Sequence, residues 1–147
     1  MNATAEKFGY PKSCLAEWAH WAVLLRPAQV TLGSLVLVCR EPARRFGEIS
    51  REAAAELREV VAAVEAALGA ALRFDKINYL MLMMVDPDVH FHVIQRYASA
   101  RSYGGHDFAD AGWPGPPDVT RGQPLPEGVQ ASLTEDLRAR LASARRG

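Results

Sequence analysis

The stretch DVHFHVIQRY, residues 88–97, carries an aspartate and two histidines at every second position. Because side chains alternate between the two faces of a β-strand, Asp88, His90 and His92 are expected on one face. The residues that alternate with them are apolar and are expected to face a core: Val89, Phe91 and Val93. The pattern therefore predicts a strand with one apolar face and one face of ionisable groups.

This row of groups has three interpretations. The simplest is two ordinary histidines on a sheet surface. The second is a metal site, since Asp88, His90 and His92 are ligands that zinc or iron accepts, with His20 or His106 as candidates for a fourth. The third is nucleophilic catalysis, in which a neutral imidazole attacks phosphorus and forms a phosphoramidate that water cleaves. Residue types and spacing leave all three open.

The segment before this strand indicates a hairpin. Residues 77–85 (INYLMLMMV) are of strand length, and the trio Asp86, Pro87 and Asp88 separates them from residues 89–97. Aspartate and proline favour turns between such runs. We therefore expect two antiparallel strands joined by this trio.

Further upstream, two apolar runs and one long periodic segment predict the rest of the core. Residues 21–25 (WAVLL) and 35–39 (LVLVC) are each bounded by glycine or proline and are expected to be paired strands. Ser50 precedes residues 51–72, where apolar positions recur at helical spacing. This segment is expected to form one long helix with a single buried face.

The C-terminal third of the chain has a different composition. Residues 98–131 are rich in glycine and proline, and such long loops are usually functional coverings or disordered. Ser132 or Thr134 could cap a short terminal helix.

The expected class is α+β, with an antiparallel sheet of about five strands, one long helix and a Gly/Pro-rich C-terminal region. The expected organisation is one domain over residues 1–147: extension 1–16, core 17–97, loop-rich segment 98–131 and C-terminal helix 132–147.

Composition excludes several classes of function. Lysine plus arginine and aspartate plus glutamate number 17 each, so no overall field attracts nucleic acid or an anionic membrane. Cys14 and Cys39 lack the spacing of a metal site and are expected to be reduced. No apolar stretch approaches the roughly 18 to 20 residues that span a bilayer. We expect a cytoplasmic protein with no cofactor, no nucleic-acid partner and no membrane attachment.

The strand at residues 88–97 resembles the signature of the histidine triad (HIT) family, His-φ-His-φ-His-φ-φ, often followed by Pro-Arg, where φ is apolar. His90, His92 and Arg96 match, whereas Asp88 stands at the first histidine and Gln95 at the proline. Upstream, GSLVLV at residues 33–38 is similar to the family's Gly-His strand, and Pro42, Arg45 and Phe46 to the segment that leads into its long helix. The resemblance covers roughly residues 21–97. Within the family, the chain resembles diadenosine polyphosphate hydrolases, with a variant triad of the form Asp-x-His-x-His.

The resemblance implies a homodimeric nucleotide phosphohydrolase or nucleotidyltransferase. It would cleave dinucleoside polyphosphates or nucleoside phosphoramidates through a covalent nucleotidyl-histidine. His90 would be the nucleophile, His92 would support the charge on it, and Asp88 would occupy the first triad position. The alternatives are a nucleotide-binding protein with little or no turnover and a metal-dependent enzyme that uses these three residues.

Four residues are candidates for nucleotide or phosphate binding. Gln95 and Arg96 follow the triad, and arginine's planar fork suits phosphate oxygens. Ser34 takes the place of the histidine after the family's glycine, and Asn78 begins the predicted hairpin. The family's polar ribose-binding residue falls at Leu25, so the resemblance defines the substrate less well than the fold.

Overall fold

The fold is built on a five-stranded antiparallel sheet, seen in a computed structural model that describes residues 1–146. In chain order the strands are β1 (Cys14–Glu17), β2 (Trp21–Leu25), β3 (Leu35–Cys39), β4 (Lys76–Leu80) and β5 (His90–Arg96). Their order across the sheet is β1-β2-β3-β5-β4. A small second sheet pairs β6 (Arg101–Tyr103) with β7 (His106–Phe108). The three α-helices are α1 (Ala3–Lys7), α2 (Arg51–Leu72) and α3 (Glu127–Arg146).

The two faces of the sheet are covered differently. Helices α2 and α3 pack on one face and form the main core, where each fully buried aliphatic side chain contributes roughly 1.5 to 3 kcal/mol. The short helix α1 and the residue after it, Phe8, cover the other face. On that second face the sheet contributes four small or aliphatic side chains: Ala22, Leu24, Val36 and Val38.

Helix α2 follows the sequence pattern closely. The Ser50 side chain accepts a hydrogen bond from the backbone N–H of Ala53 at 3.0 Å and caps the helix. Val60, Val64 and Leu68 lie four residues apart and are buried against the sheet. The expected α+β class and the antiparallel sheet of five strands are confirmed.

The hairpin before β5 differs from the sequence prediction. β4 ends at Leu80, opposite His92, and residues 81–89 form the connection instead of a three-residue turn. Met84 is 91% exposed and Val85 80% exposed, because no strand or core lies beside them. Their apolar character therefore gives no strand here.

The C-terminal helix is longer than expected. It begins at Glu127 and not at residue 132, and it buries residues four apart along one face: Val129, Leu133, Leu137 and Leu141. This face packs on α2, so the structure has a second long helix. The expected N-terminal extension also contains regular structure, namely α1 and β1. No helix within residues 1–146 is long and apolar enough to cross a membrane.

Candidate active site

Two histidines lie together on β5, near the centre of the sheet. His92 pairs with Val36 of β3 and Leu80 of β4, and His90 pairs with Val38. Their rings are perpendicular, at 83°, and the ring centroids are 5.2 Å apart. Both side chains point to the face that α1 covers, where His90 is 0% and His92 5% exposed. The structure therefore brings the two predicted histidines together in a buried setting.

The orientation of His90 is fixed by the backbone. Its Nδ1 lies 2.7 Å from the carbonyl oxygen of Asp88. A carbonyl oxygen only accepts hydrogen bonds, so Nδ1 carries the proton and donates it. The lone pair is then on Nε2, which is buried and has no hydrogen-bond partner within residues 1–146. No hydrogen bond within the described residues uses the lone pair of this nitrogen.

His92 is held in its neutral form. Burial, His90 and the positive charge of Arg26 together lower the pKa of His92 to about 4. Its Nδ1 is also buried and lacks a partner in the described part of the chain. At neutral pH the site therefore contains an uncharged imidazole beside His90.

The carboxylate of Asp88 does not act on the histidines as expected for the first triad position. It accepts hydrogen bonds from the Thr4 backbone N–H at 3.1 Å and from the Thr4 hydroxyl at 2.9 Å. The Asp88 backbone N–H donates to the same hydroxyl oxygen, and Arg44 Nε lies 3.8 Å from the carboxylate. Asp88 thus orients His90 through its carbonyl group, while its side chain holds the N-terminus.

Residues 2–8 form a segment that we call the N-terminal cover. The Phe8 ring lies over both histidines, with its centroid 5.6 Å from that of His92 and 6.4 Å from that of His90. Asn2 Nδ2 donates to the carbonyl of Cys39 at 2.9 Å, and Lys7 Nζ lies 2.5 Å from Asp86. In this conformation solvent does not reach His90.

Gln95 is not at the site. Strand alternation places it on the helix-covered face, where its Nε2 donates to the carbonyl of Gly33 at 2.8 Å. Leu25, expected at the ribose position, is buried in the same helix-side core. Neither side chain lies on the face of the histidines.

The Arg96 side chain binds the C-terminal loop and not the histidine site. Its Nε donates to Asp110 at 2.6 Å, and its Nη1 donates to the carbonyl of Gly115 at 2.7 Å. Burial alone would raise the pKa of Asp110, but hydrogen bonds from Arg96 and from the Tyr97 N–H hold it below its usual value. A cavity of about 590 Å³ lies beside this ion pair, lined by residues 29–32 and the loop. Arg96 therefore stabilises the loop at the far end of β5.

The last two candidates differ from each other. The Ser34 hydroxyl donates to the carbonyl of Thr31 at 2.7 Å and accepts from its N–H at 3.0 Å, which closes a turn. Asn78 is exposed on β4 opposite Ile94 and lies on the same face as the histidines. Of the four candidates, Asn78 alone has a side chain both exposed and on this face.

The metal interpretation lacks a converging set of ligands. Within residues 1–146 no group of three or more histidine, cysteine, aspartate or glutamate side chains is arranged to hold a metal ion. The Asp88 carboxylate, which would be the third ligand, is hydrogen-bonded to Thr4. The two histidines alone do not make the site proposed from the spacing.

Sequence reasoning missed three groups on the histidine face, namely Arg26, Thr4 and Phe8. Arg26, the residue after β2, follows Ala22 and Leu24 at period two and lies under the Phe8 ring. That alternation was a signal that could have identified it. The contact between Thr4 and Asp88 joins residues 84 positions apart, and no local pattern indicates it.

Known structures resemble this one closely. A histidine triad protein from Bradyrhizobium japonicum matches with a TM-score of 0.72 and 20% identity over 96% of each chain. A histidine triad protein from Marinobacter aquaeolei matches with a TM-score of 0.70 and 27% identity over 95% of each chain. A hypothetical histidine triad nucleotide-binding protein from Sulfolobus tokodaii matches at 0.69 and 19%, over 91% of this chain and 86% of that one.

Sequence comparison adds no further relative. No protein-family model matches the chain, and no curated protein matches it. The structural neighbours are histidine triad proteins, so the resemblance expected from residues 21–97 is confirmed at the level of the fold.

Proposed function

We propose that this chain is a nucleotide phosphohydrolase or nucleotidyltransferase of the histidine triad type, with His90 as its nucleophile. One observation carries the proposal: His90 donates from Nδ1 to the Asp88 carbonyl and keeps an unpartnered lone pair on Nε2. The fold supports it, because structures of the same fold include histidine triad proteins and one whose name describes it as nucleotide-binding.

The reaction has two displacements. His90 Nε2 attacks the α-phosphorus of the nucleotide, and the bond from phosphorus to the leaving oxygen or nitrogen breaks with its electron pair. The imidazole then carries phosphorus on Nε2 and a proton on Nδ1, and the Asp88 carbonyl accepts that proton's hydrogen bond. Water next attacks phosphorus, the electron pair of the N–P bond returns to Nε2, and the water proton passes to solvent, which leaves neutral His90 and a nucleoside monophosphate. A leaving nitrogen takes up a proton from solvent as its bond to phosphorus breaks.

His92 supports this sequence by remaining neutral. The nucleotidylated His90 carries a positive charge, and a second charged imidazole 5.2 Å away would repel it. With a pKa of about 4, His92 adds no such charge at neutral pH. His92 is thus a positioning residue for the charged intermediate.

The N-terminal cover determines access. His90 is fully buried, so a nucleotide reaches its Nε2 after residues 2–8 move aside.

A nucleotide-binding protein with little or no turnover is the second candidate function, and the hydrogen bonds of the Asp88 carboxylate to Thr4 favour it. The proposed substrates are dinucleoside polyphosphates or nucleoside phosphoramidates. A homodimer and a cytoplasmic location belong to the same proposal.

Three proteins test the proposal: the wild type, His90→Ala and His106→Ala. His106 lies on β7 and is exposed, so its variant controls for the loss of an imidazole. Each is incubated with dinucleoside polyphosphates and adenosine phosphoramidates, and the products are separated by chromatography. We expect turnover by the wild type and His106→Ala, and none by His90→Ala.

The same assay identifies the alternatives. Equal turnover by all three proteins would exclude His90 as the nucleophile. A nucleotide that raises the melting temperature of the wild type without being cleaved would support the binding protein instead.

A further inference from the structure

Arg26 is a buried cation without a buried counter-charge. It is 8% exposed and forms no ion pair within residues 1–146. The carboxylate of Asp86 acts on its charge from beyond ion-pairing distance and is itself paired with Lys7. Arg96, which is 5% exposed, is compensated by Asp110 at 2.6 Å. Because an isolated charge is costly to bury, the difference between the two arginines points to a missing anion at Arg26.

The hydrogen bonds of Arg26 leave donors free. Nη1 donates to the carbonyl of Ala28, and Nη2 donates to the carbonyl of Val119 at 2.8 Å. Nε is buried and has no partner in the described chain. Each Nη atom has a second N–H, so the guanidinium can still donate several hydrogen bonds to one ligand.

Arg26 shares its surroundings with the histidines. Its Cζ lies 5.8 Å from the Phe8 ring centroid, and the His92 ring lies 5.6 Å from the same centroid. Arg26, the residue after β2, also follows Leu24 at period two, on the sheet face where Val36 lies opposite His92. The guanidinium and both imidazoles thus lie against one side chain, that of Phe8.

We propose that Arg26 is a phosphate-binding residue that receives the oxyanions of a phosphate or phosphoanhydride group beside His90. Its Nε–H and free Nη–H donors supply the planar fork that suits such oxygens. The assignment to a nucleotide substrate rests on the proposed function. The binding of a phosphoanhydride by Arg26 does not, because it requires no turnover.

Inorganic pyrophosphate is the probe, titrated into the ¹⁵N-labelled full-length wild type while the arginine Nε–H resonances are followed by NMR. The Arg26 resonance is assigned by its loss in Arg26→Lys. We expect it to shift on addition of pyrophosphate while that of Arg96 stays in place. The titration itself uses only the wild type, and the variant serves only for the assignment. If Arg26→Lys does not fold, the Arg26 resonance is assigned in the wild type through its backbone and side-chain connectivities.

Calorimetry on two glutamine variants gives the second readout. Arg26→Gln is expected to bind pyrophosphate about tenfold more weakly than the wild type, since a charge-assisted hydrogen bond is lost. Arg58→Gln, which changes an exposed arginine on α2, is expected to bind like the wild type. Absence of pyrophosphate binding by the wild type, an unmoved Arg26 resonance, or equal affinities in both variants would overturn the proposal.

The two proposals fail separately. If His90→Ala abolishes turnover but Arg26→Gln binds pyrophosphate as the wild type does, the anion site is wrong and the function stands. If pyrophosphate binds through Arg26 but the wild type, His90→Ala and His106→Ala turn over substrate equally, Arg26 is an anion site and His90 is not the nucleophile.

Discussion

The backbone and the side chain of Asp88 hold different parts of the protein. The carbonyl of Asp88 fixes the Nδ1–H of His90, and any residue at this position provides a carbonyl. The carboxylate instead binds Thr4. The exchange of histidine for aspartate relative to the family signature therefore leaves the orientation of the nucleophile intact and changes how the N-terminus is held.

The burial of His92 predicts a stability that depends on pH. The unfolded chain binds a proton on this residue near pH 6.5, whereas the folded protein does so at about pH 4. The stabilisation is therefore present above pH 6.5 and is lost as the pH falls toward 4. The wild type is expected to lose up to about 3 kcal/mol of unfolding free energy to this effect as the pH falls over this range. His92→Gln lacks the imidazole and is expected not to show this loss.

Urea denaturation at pH 7 and pH 4.5 measures the effect, with His106→Gln as the control for an exposed histidine. The control is expected to follow the wild type at both pH values. Parallel losses of stability in His92→Gln and the wild type would show that His92 is not held neutral by the fold.

At the scale of elements, the N-terminal cover determines whether His90 is accessible. It is attached by hydrogen bonds from Thr4 to Asp88 and from Asn2 to the Cys39 carbonyl. The Lys7–Asp86 ion pair and the packing of Phe8 on the sheet add to this attachment. Terminal segments open locally at lower free-energy cost than the core of a sheet. In the proposed function, opening of the cover is the step that admits a ligand to the histidines.

Weakening that attachment should expose the nucleophile. Thr4→Val keeps the shape of the side chain but removes the hydroxyl that donates to the Asp88 carboxylate and accepts from the Asp88 N–H, so the attachment is weakened by at least about 1 kcal/mol. We expect the open population, and with it the acylation of His90 by diethyl pyrocarbonate, to rise about fivefold. His106, which is exposed, serves as the internal reference in each sample. Unchanged acylation of His90 relative to His106 would mean that Thr4 does not hold the cover.

The loop after β5 depends on one buried ion pair. The side chains of Arg96 and Asp110 are 6% and 3% exposed, so loss of the carboxylate leaves a buried charge without a partner. We expect Asp110→Ala to lower the unfolding free energy by roughly 3 kcal/mol. Asp118→Ala removes an exposed partner of Arg121 and should leave the urea midpoint unchanged. Similar midpoints for both variants would contradict this role of Asp110.

Local patterns predicted the elements whose contacts are local. The run at residues 21–25, the capped helix after Ser50 and the alternation along β5 each gave an element close to its observed bounds. Gln95 was a candidate because it follows the triad, but alternation along β5 places its side chain on the face opposite the histidines. The apolar residues at 81–85 gave a false strand extension, because apolar character does not show that a partner strand is present.

At the scale of the whole molecule, β5 lies inside the sheet and β4 forms its edge. The interior position makes the histidine strand rigid, since both of its neighbours hydrogen-bond to it. The parts of the site that the sequence did not reveal, Thr4 and Phe8, come from the other end of the chain. Contacts of such long range leave no periodic signal in the sequence.

The proposed homodimer is tested at the same scale. An unpaired edge strand and the exposed apolar side chains of Met84 and Val85 beside it favour association of two copies. Light scattering after size-exclusion chromatography should give twice the chain mass of 16.1 kDa for the wild type. Val85→Glu should shift it toward the monomer, and Phe46→Glu, at an exposed residue outside this loop, should not. A monomeric wild type would contradict the dimer.

The proposed covalent bond between His90 and phosphorus can be detected directly from the mass of the protein during turnover. The wild type, His90→Ala and His106→Ala are mixed with a dinucleoside polyphosphate, quenched in alkali and digested for mass spectrometry. We predict one nucleotidyl group on the peptide that contains His90, in the wild type and His106→Ala only. Turnover without this adduct, or an adduct on another residue, would contradict the account.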